Sequence, residues 1–129
     1  MRVLMIAAAL ALAGPAAAQV VKPQLSAALP NAPGKTMTVI TVNYAPSQKS
    51  GPHHHAGSAF LYARVLEGHV RSEVEGQGPA KVYGVGEGWT EGPNAHHVVS
   101  ENASATEPAS ILVVFVADDG ATLTTPDKR

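Results

Sequence analysis

The 129-residue chain carries nine basic against ten acidic side chains and no cysteine. Near-neutral charge with scattered Lys and Arg excludes a nucleic-acid or anionic-membrane surface. The lack of thiols excludes a disulfide scaffold and thiolate ligands, so any metal must be held by nitrogen and oxygen.

Arg2, the apolar run over residues 3–13 and the small residues Gly14-Pro15-Ala16-Ala17-Ala18 follow the order of a secretory signal peptide. Residues 1–18 are therefore expected to be cleaved before Gln19, the apolar run falling short of the ~20 residues a membrane span needs. The remaining chain, about 110 residues, suffices for one packed core. It is expected to be periplasmic or secreted, with no membrane attachment after cleavage.

Glycine, proline and short β-branched runs spread through this part favour an all-β domain. Residues 19–35, with Pro23, Pro30 and Pro33, read as an extended lead-in that lies along a sheet edge or reaches a neighbouring subunit. Residues 36–44 are β-branched almost throughout and predict the first long strand. Residues 45–52 then form a loop that delivers the chain into His53-His54-His55. In an extended backbone His53 and His55 share one face and His54 takes the other. Two imidazoles about 7 Å apart along one face can close on a single metal ion.

Residues 59–66 are aromatic and aliphatic enough for a strand, and Glu67-Gly68 is expected to make a tight hairpin into the alternating strand at residues 69–75. Turns at 76–79 and 84–88 bracket a short strand at 81–83. Trp89-Thr90-Glu91 leads into Gly92-Pro93-Asn94, and residues 95–100, with His96 and His97, read as the next strand. After a polar loop at 102–107, residues 109–116 are continuously apolar and predict a strand buried on both faces. Residues 118–129 are expected to turn and end as a tail. Turns roughly every 8 to 12 residues are the pattern of a β-sandwich or barrel.

Five of the six histidines thus fall in two clusters, each after a Gly-Pro and each entering a strand. An all-β core has no structural need of them, and buried unpaired imidazoles are costly, so a shared ligand is the expected reason.

These stretches resemble the paired motifs of the cupin superfamily, whose fold is the small jelly-roll β-barrel. Gly51, His53, His55 and Gly68 match parts of the first motif, while Gly86, Gly92-Pro93-Asn94, His97 and Asn102 stand in places similar to the second. The resemblance implies an all-β, single-domain jelly-roll barrel over residues 36–117. It also implies His53, His55 and His97 as ligands of a divalent transition metal (Fe, Mn, Ni, Cu or Zn), with His96 as an alternative ligand or supporting partner. The motif glutamate should fall at 59–61, but the chain has Ala59, Phe60 and Leu61 there. Glu67 and Glu91 are the carboxylates that could serve instead or act as general base, although residues beside turns are usually solvated. Asn94 in place of a motif glycine is mild, since Asn tolerates the left-handed conformation.

An open metal position implies a small-molecule ligand or substrate and a metal-dependent enzyme of dioxygenase type. The alternative is a non-catalytic periplasmic module that captures a metal or small ligand. No catalytic residue is assigned. Phe60, Tyr62 and Trp89 are expected in the core first and along a pocket second. Sheet edges and the proline-rich lead-in make a homodimer the expected assembly.

Overall fold

The computed structural model describes residues 19–129; the signal-peptide expectation for residues 1–18 lies outside them. Among the described residues every regular element is a strand. In chain order these are β1 (Val20–Ala28), β2 (Lys35–Tyr44), β3 (Lys49–Ser50), β4 (His53–His55), β5 (Phe60–Glu67), β6 (His69–Val74), β7 (Lys81–Gly84), β8 (Gly88–Glu91), β9 (His96–Asn102), β10 (Ala109–Asp118) and β11 (Thr124–Pro126). One sheet runs β1-β2-β10-β5-β8 and the other β11-β4-β9-β6-β7, with β3 on β9; the two build the expected all-β jelly roll.

Side-chain alternation sets what lies between the sheets. Val42 and Tyr44 of β2, Leu61, Ala63 and Val65 of β5, and Ile111, Val113, Phe115 and Ala117 of β10 are buried there. The second sheet answers this apolar wall with a more polar one: His55, Ser72, His97 and Ser100 are buried beside Val70 and Val74. That asymmetry places the inward histidines on one sheet and a largely apolar wall opposite them.

Three expectations change. The apolar run of β10 is covered fully on one face only, for Leu112, Val114 and Val116 remain partly exposed. Phe60 and Tyr62 take the outer face of β5 and are exposed, so they serve neither core nor pocket; Trp89 is buried. Glu67-Gly68 is not a hairpin, because β5 pairs with β10 and β8 whereas β6 pairs with β7 and β9. The chain changes sheets at this corner.

Gly68 is what makes the corner possible. Its φ is +67°, and a Cβ there would lie 2.3 Å from the Pro108 carbonyl oxygen and 3.0 Å from Ala109 Cα. Gly68→Ala is expected to cost about 2 kcal/mol or more, the left-handed penalty plus a backbone clash. A lower urea midpoint with an unchanged slope would show it.

Both ends of the described chain join the sheets. The lead-in forms β1, an edge strand paired with β2 from Val20 opposite Asn43 to Ala28 opposite Thr36. The segment read as a tail contains β11, which pairs with β4 so that Thr124 lies opposite His55. Residues of this last strand support the histidines.

Candidate metal centre

Strands β4 and β9 run antiparallel with His53 opposite His97 and His54 opposite His96. Residues directly opposite share a face. His53, His55 and His97 therefore face the barrel interior, where one nitrogen of each lies within 4.8 Å of the others. His54 and His96 form a separate group on the outside, which removes His96 as an alternative ligand of the interior site.

Backbone carbonyls fix the orientation of two of the rings. His53 Nδ1 donates to the Gly51 carbonyl at 2.8 Å, and His55 Nδ1 to the Leu123 carbonyl at 2.9 Å, with the Thr124 hydroxyl at 3.3 Å. A carbonyl only accepts, so each Nδ1 carries hydrogen and each Nε2 is left as the ligating nitrogen. His97 places Nε2 2.8 Å from the Ser72 hydroxyl and Nδ1 3.2 Å from Glu91 Oε1. Burial pushes the His97 imidazolium down to about 4, a shift that nearby Glu91 only partly opposes. Burial also lowers His53, partly offset by its bond to Gly51. These two imidazoles are neutral at neutral pH, the form a metal requires.

The carboxylate absent from residues 59–61 arrives from the neighbouring strand. Leu61 on β5 lies opposite Glu91 on β8, so Glu91 shares the inward face of the position where the motif glutamate was expected. Alternation along β8 turns Trp89 and Glu91 inward and Thr90 outward. The expectation of a solvated turn residue fails for Glu91, which is only 2% exposed, and holds for Glu67, which is exposed.

Glu91 spans the site. Its Oε1 accepts a hydrogen bond from Trp89 Nε1 at 2.9 Å, while Oε2 lies 3.2 Å from His55 Nε2 and has no hydrogen-bond partner. Burial pushes this carboxyl up, but a proton shared with His55, the nearby His97 and the Trp89 N–H outweigh burial and hold it below the usual carboxylate range. A carboxylate oxygen facing a bare ring nitrogen is repulsive unless a cation or shared proton lies between them. Ligand atoms about 2.0 to 2.2 Å from one ion stand about 3 Å apart in neighbouring positions, close to the 3.2 Å of the two contacts that Glu91 makes with His55 and His97. Three imidazoles therefore suit a divalent transition cation, with Glu91 beside His55 and His97 as the nearest carboxylate.

Beside these groups is a cavity of about 320 Å³. Val42, Leu61, Val113 and Phe115 line it on the apolar side, and the Tyr44 hydroxyl, bonded to Ser100 at 2.9 Å and Ser50 at 3.1 Å, is its polar landmark. Burial raises the Tyr44 phenol, which stays protonated. Ser72, Tyr44 and Leu123 escaped the sequence reading; for Tyr44 the available signal was its inward phase on a β-branched strand.

The second-motif residues Asn94 and Asn102 have structural roles. Asn94 adopts φ 57°, the left-handed conformation expected of it. Asn102 is buried, donates to the Ala45 and Glu107 carbonyls and accepts from Ser104 N, pinning the loop before β10.

A small antiparallel β-barrel with inward-facing histidines and one buried carboxylate defines the class as a jelly-roll protein with a candidate metal centre. Residues 40–115, more than half of the chain, match the Cupin domain family, and the protein belongs to it. A comparison with curated proteins finds no match. Among solved structures, the chain is similar to an uncharacterized conserved protein with a double-stranded beta-helix domain from Klebsiella pneumoniae, with 19% identity over 89% of this chain and 90% of that one and a TM-score of 0.65. It is also similar to the DMSP lyase DddQ from Ruegeria pomeroyi, with 16% identity over 84% of this chain and 51% of that one and a TM-score of 0.63. An oxalate oxidase in complex with the substrate analogue glycolate matches with 21% identity over 66% of this chain and 44% of that one, at a TM-score of 0.57. The chain spans about half the length of these two enzymes. Such identities establish the fold, and the chemistry must be argued from the site.

Proposed function

We propose that this cupin is a metal-dependent enzyme acting on a small organic molecule inside the barrel, with His53, His55, His97 and Glu91 holding a divalent transition cation. The observation that carries the reading is Glu91: a buried carboxylate with an unpartnered oxygen, aimed at the bare nitrogen of His55 beside a largely apolar cavity. A bound cation supplies Lewis acidity that polarises an oxygen donor of the substrate or of dioxygen. The chain's own residues do the rest. Val42, Val113 and Phe115 exclude water, Trp89 holds Glu91 in place, and the protonated Tyr44 hydroxyl orients a substrate oxygen by hydrogen bonding. Similarity in fold to an oxalate oxidase and a DMSP lyase supports small-molecule turnover, and an oxygenase-type reaction is the first chemistry to test.

Capture without turnover is the second reading, favoured by one feature. Among the described residues lining the cavity, Tyr44 is the only titratable side chain outside the four proposed ligands. The experiment starts with elemental analysis of untagged protein beside His53→Ala and His97→Ala. Near-stoichiometric metal lost in both variants is expected; protein that takes up no Mn, Fe, Ni, Cu or Zn would remove the enzyme reading. Loaded protein is then screened for oxygen consumption and product with small organic acids, diketones and phenols. Tyr44→Phe is expected to retain metal while losing about 10-fold or more in turnover, the scale of one buried hydrogen bond. Saturable binding without product would favour the binding module.

We further infer that the chain is exported, reading residues 1–18 as a cleaved signal, and that it works as a homodimer. Val20, Val21 and Leu25 are exposed on the edge strand β1, which supports pairing of copies. Sedimentation of the chain starting at Gln19 tests the dimer, and N-terminal sequencing of exported protein tests the cleavage.

A further inference from the structure

Opposite the interior site, on the outer face of the same two strands, His54 of β4 and His96 of β9 stack with ring centroids 4.0 Å apart and planes 7° from parallel. Asp127, just past β11, spans both rings: Oδ1 lies 2.9 Å from His54 Nδ1 and Oδ2 lies 2.8 Å from His96 Nε2. The other nitrogen of His96 is 3.1 Å from Glu75 Oε2, just past β6. Residues on or beside four adjacent strands of one sheet thus meet at one place. Folding alone gives little reason for this cluster, since stacked imidazoles at a partly exposed position gain little from one another and surface ion pairs contribute little.

We propose that His54, His96 and Asp127 form a second metal site, on the outside of the barrel, for a borderline divalent transition cation such as Zn, Ni, Cu or Co, with Glu75 orienting the His96 ring. One ligating atom from each of the three lies within 4.8 Å of the others, and a turn of the rings out of their parallel stack lets both lone pairs meet one ion. Two imidazole nitrogens and a carboxylate oxygen are the donors such cations prefer, whereas Ca and Mg take oxygen sets. The Glu75 carboxylate accepts from His96 Nδ1 and leaves Nε2 to ligate, the usual arrangement of a metal-bound histidine. Partial exposure of His54 and Asp127 leaves room for water in the remaining positions.

The position of the site gives it a consequence. Asp127 also donates its backbone N–H to the Pro52 carbonyl at 3.0 Å, and the strand before it, β11, lies along β4. A cation shared by His54, His96 and Asp127 clamps β11 to β4 and β9. The Leu123 carbonyl and Thr124 hydroxyl that orient His55 lie at the start of the clamped segment. Loading the outer site therefore stiffens the support of the inner one, and the two bind with positive coupling.

The test is calorimetric titration with Zn of metal-stripped, untagged protein, combined with equilibrium dialysis and elemental analysis. Wild type is expected to bind two equivalents. His54→Ala and Asp127→Asn, both changes at partly exposed positions, are expected to weaken one of them at least tenfold while the other remains and, its coupling lost, weakens by less. His53→Ala is expected to retain the outer equivalent, so failure of the interior reading and failure of this one are distinguishable. One equivalent in wild type, abolished by His53→Ala and unchanged by Asp127→Asn and His54→Ala, overturns the proposal. One equivalent abolished by Asp127→Asn and unchanged by His53→Ala supports it and instead overturns the interior site.

Discussion

Glu91→Gln is expected to weaken metal binding by at least about 100-fold, the upper end of what loss of a supporting group costs, since Glu91 is placed as a ligand. The same change is expected to alter the stability of the metal-free protein far less than it alters metal affinity. Glutamine keeps the shape. Its amide oxygen can still accept from Trp89 Nε1, and its NH2 group, in the place of Oε2, can donate to the bare Nε2 of His55 3.2 Å away. The substitution thus replaces an ionic contact with a neutral hydrogen bond and removes a buried charge whose desolvation is expensive, two changes that largely offset. A large loss of metal affinity beside a small change in metal-free stability is the mark of a residue kept for binding. Unfolding measured with and without added metal separates them: a 100-fold loss of affinity removes about 2.7 kcal/mol of metal-induced stabilisation at a fixed excess. A Gln variant that is stabilised by metal as much as wild type would show that the carboxylate serves packing alone.

The sequence disclosed the histidines more readily than the carboxylate because they obey different kinds of rule. His53 and His55 are separated by one residue on one strand, so strand alternation is enough to place them together and to send His54 outward. Glu91 joins them only through the register of β8 on β5, a long-range pairing that opposes it to Leu61 and is set by no local spacing. Its neighbours Gly92 and Pro93 gave the local signal of a wet turn, and tertiary packing overrode it. The hairpin expectation at Glu67-Gly68 failed in the same way. Positive φ at Gly68 was legible, but whether the next strand folds back on its own sheet or crosses to the facing one depends on partners elsewhere. Alternation itself breaks in β9: pairing with β6 shifts between Glu73 and Val74, so Ser100 is buried on the same strand as His97 although the two are three positions apart. The support from β11 was illegible because residues 124–126 carry no apolar pattern; they are ordered by backbone pairing to β4, by the contact of Thr124 with His55 and by that of Asp127, just beyond, with His54.

Mild acid is expected to destabilise the metal-free protein well above the range where exposed carboxylates titrate. His97 has an ordinary value of 6.5 and is pushed down to about 4 in the folded chain, chiefly by burial. Between those two values the unfolded chain binds a proton that the folded chain refuses, so stability rises with pH across the window and is lost as pH falls from 6.5 through 4. A difference of that size corresponds to about 3 kcal/mol. His53, also lowered by burial, acts in the same direction. Glu91, held below its ordinary value, extends the loss at the acid end, as its carboxylate must be protonated when pH falls through its folded value. His96, raised by Asp127 and Glu75, works the other way: its contribution is present in acid and fades as pH rises, and its exposed setting keeps that term small. The net expectation is a marked fall in the urea midpoint between pH 7 and pH 4, with the slope of each transition unchanged. His97→Gln, whose side chain does not titrate, is expected to flatten this dependence even where it lowers stability overall. If wild type and His97→Gln lose stability in parallel over the same interval, His97 is not the source of the acid sensitivity. Bound metal sharpens the contrast, because it requires His97 to be deprotonated. Loaded wild type should be more stable than the metal-free chain at neutral pH and lose that advantage as protons displace the ion, giving a steeper profile than the metal-free chain and one that His97→Gln abolishes.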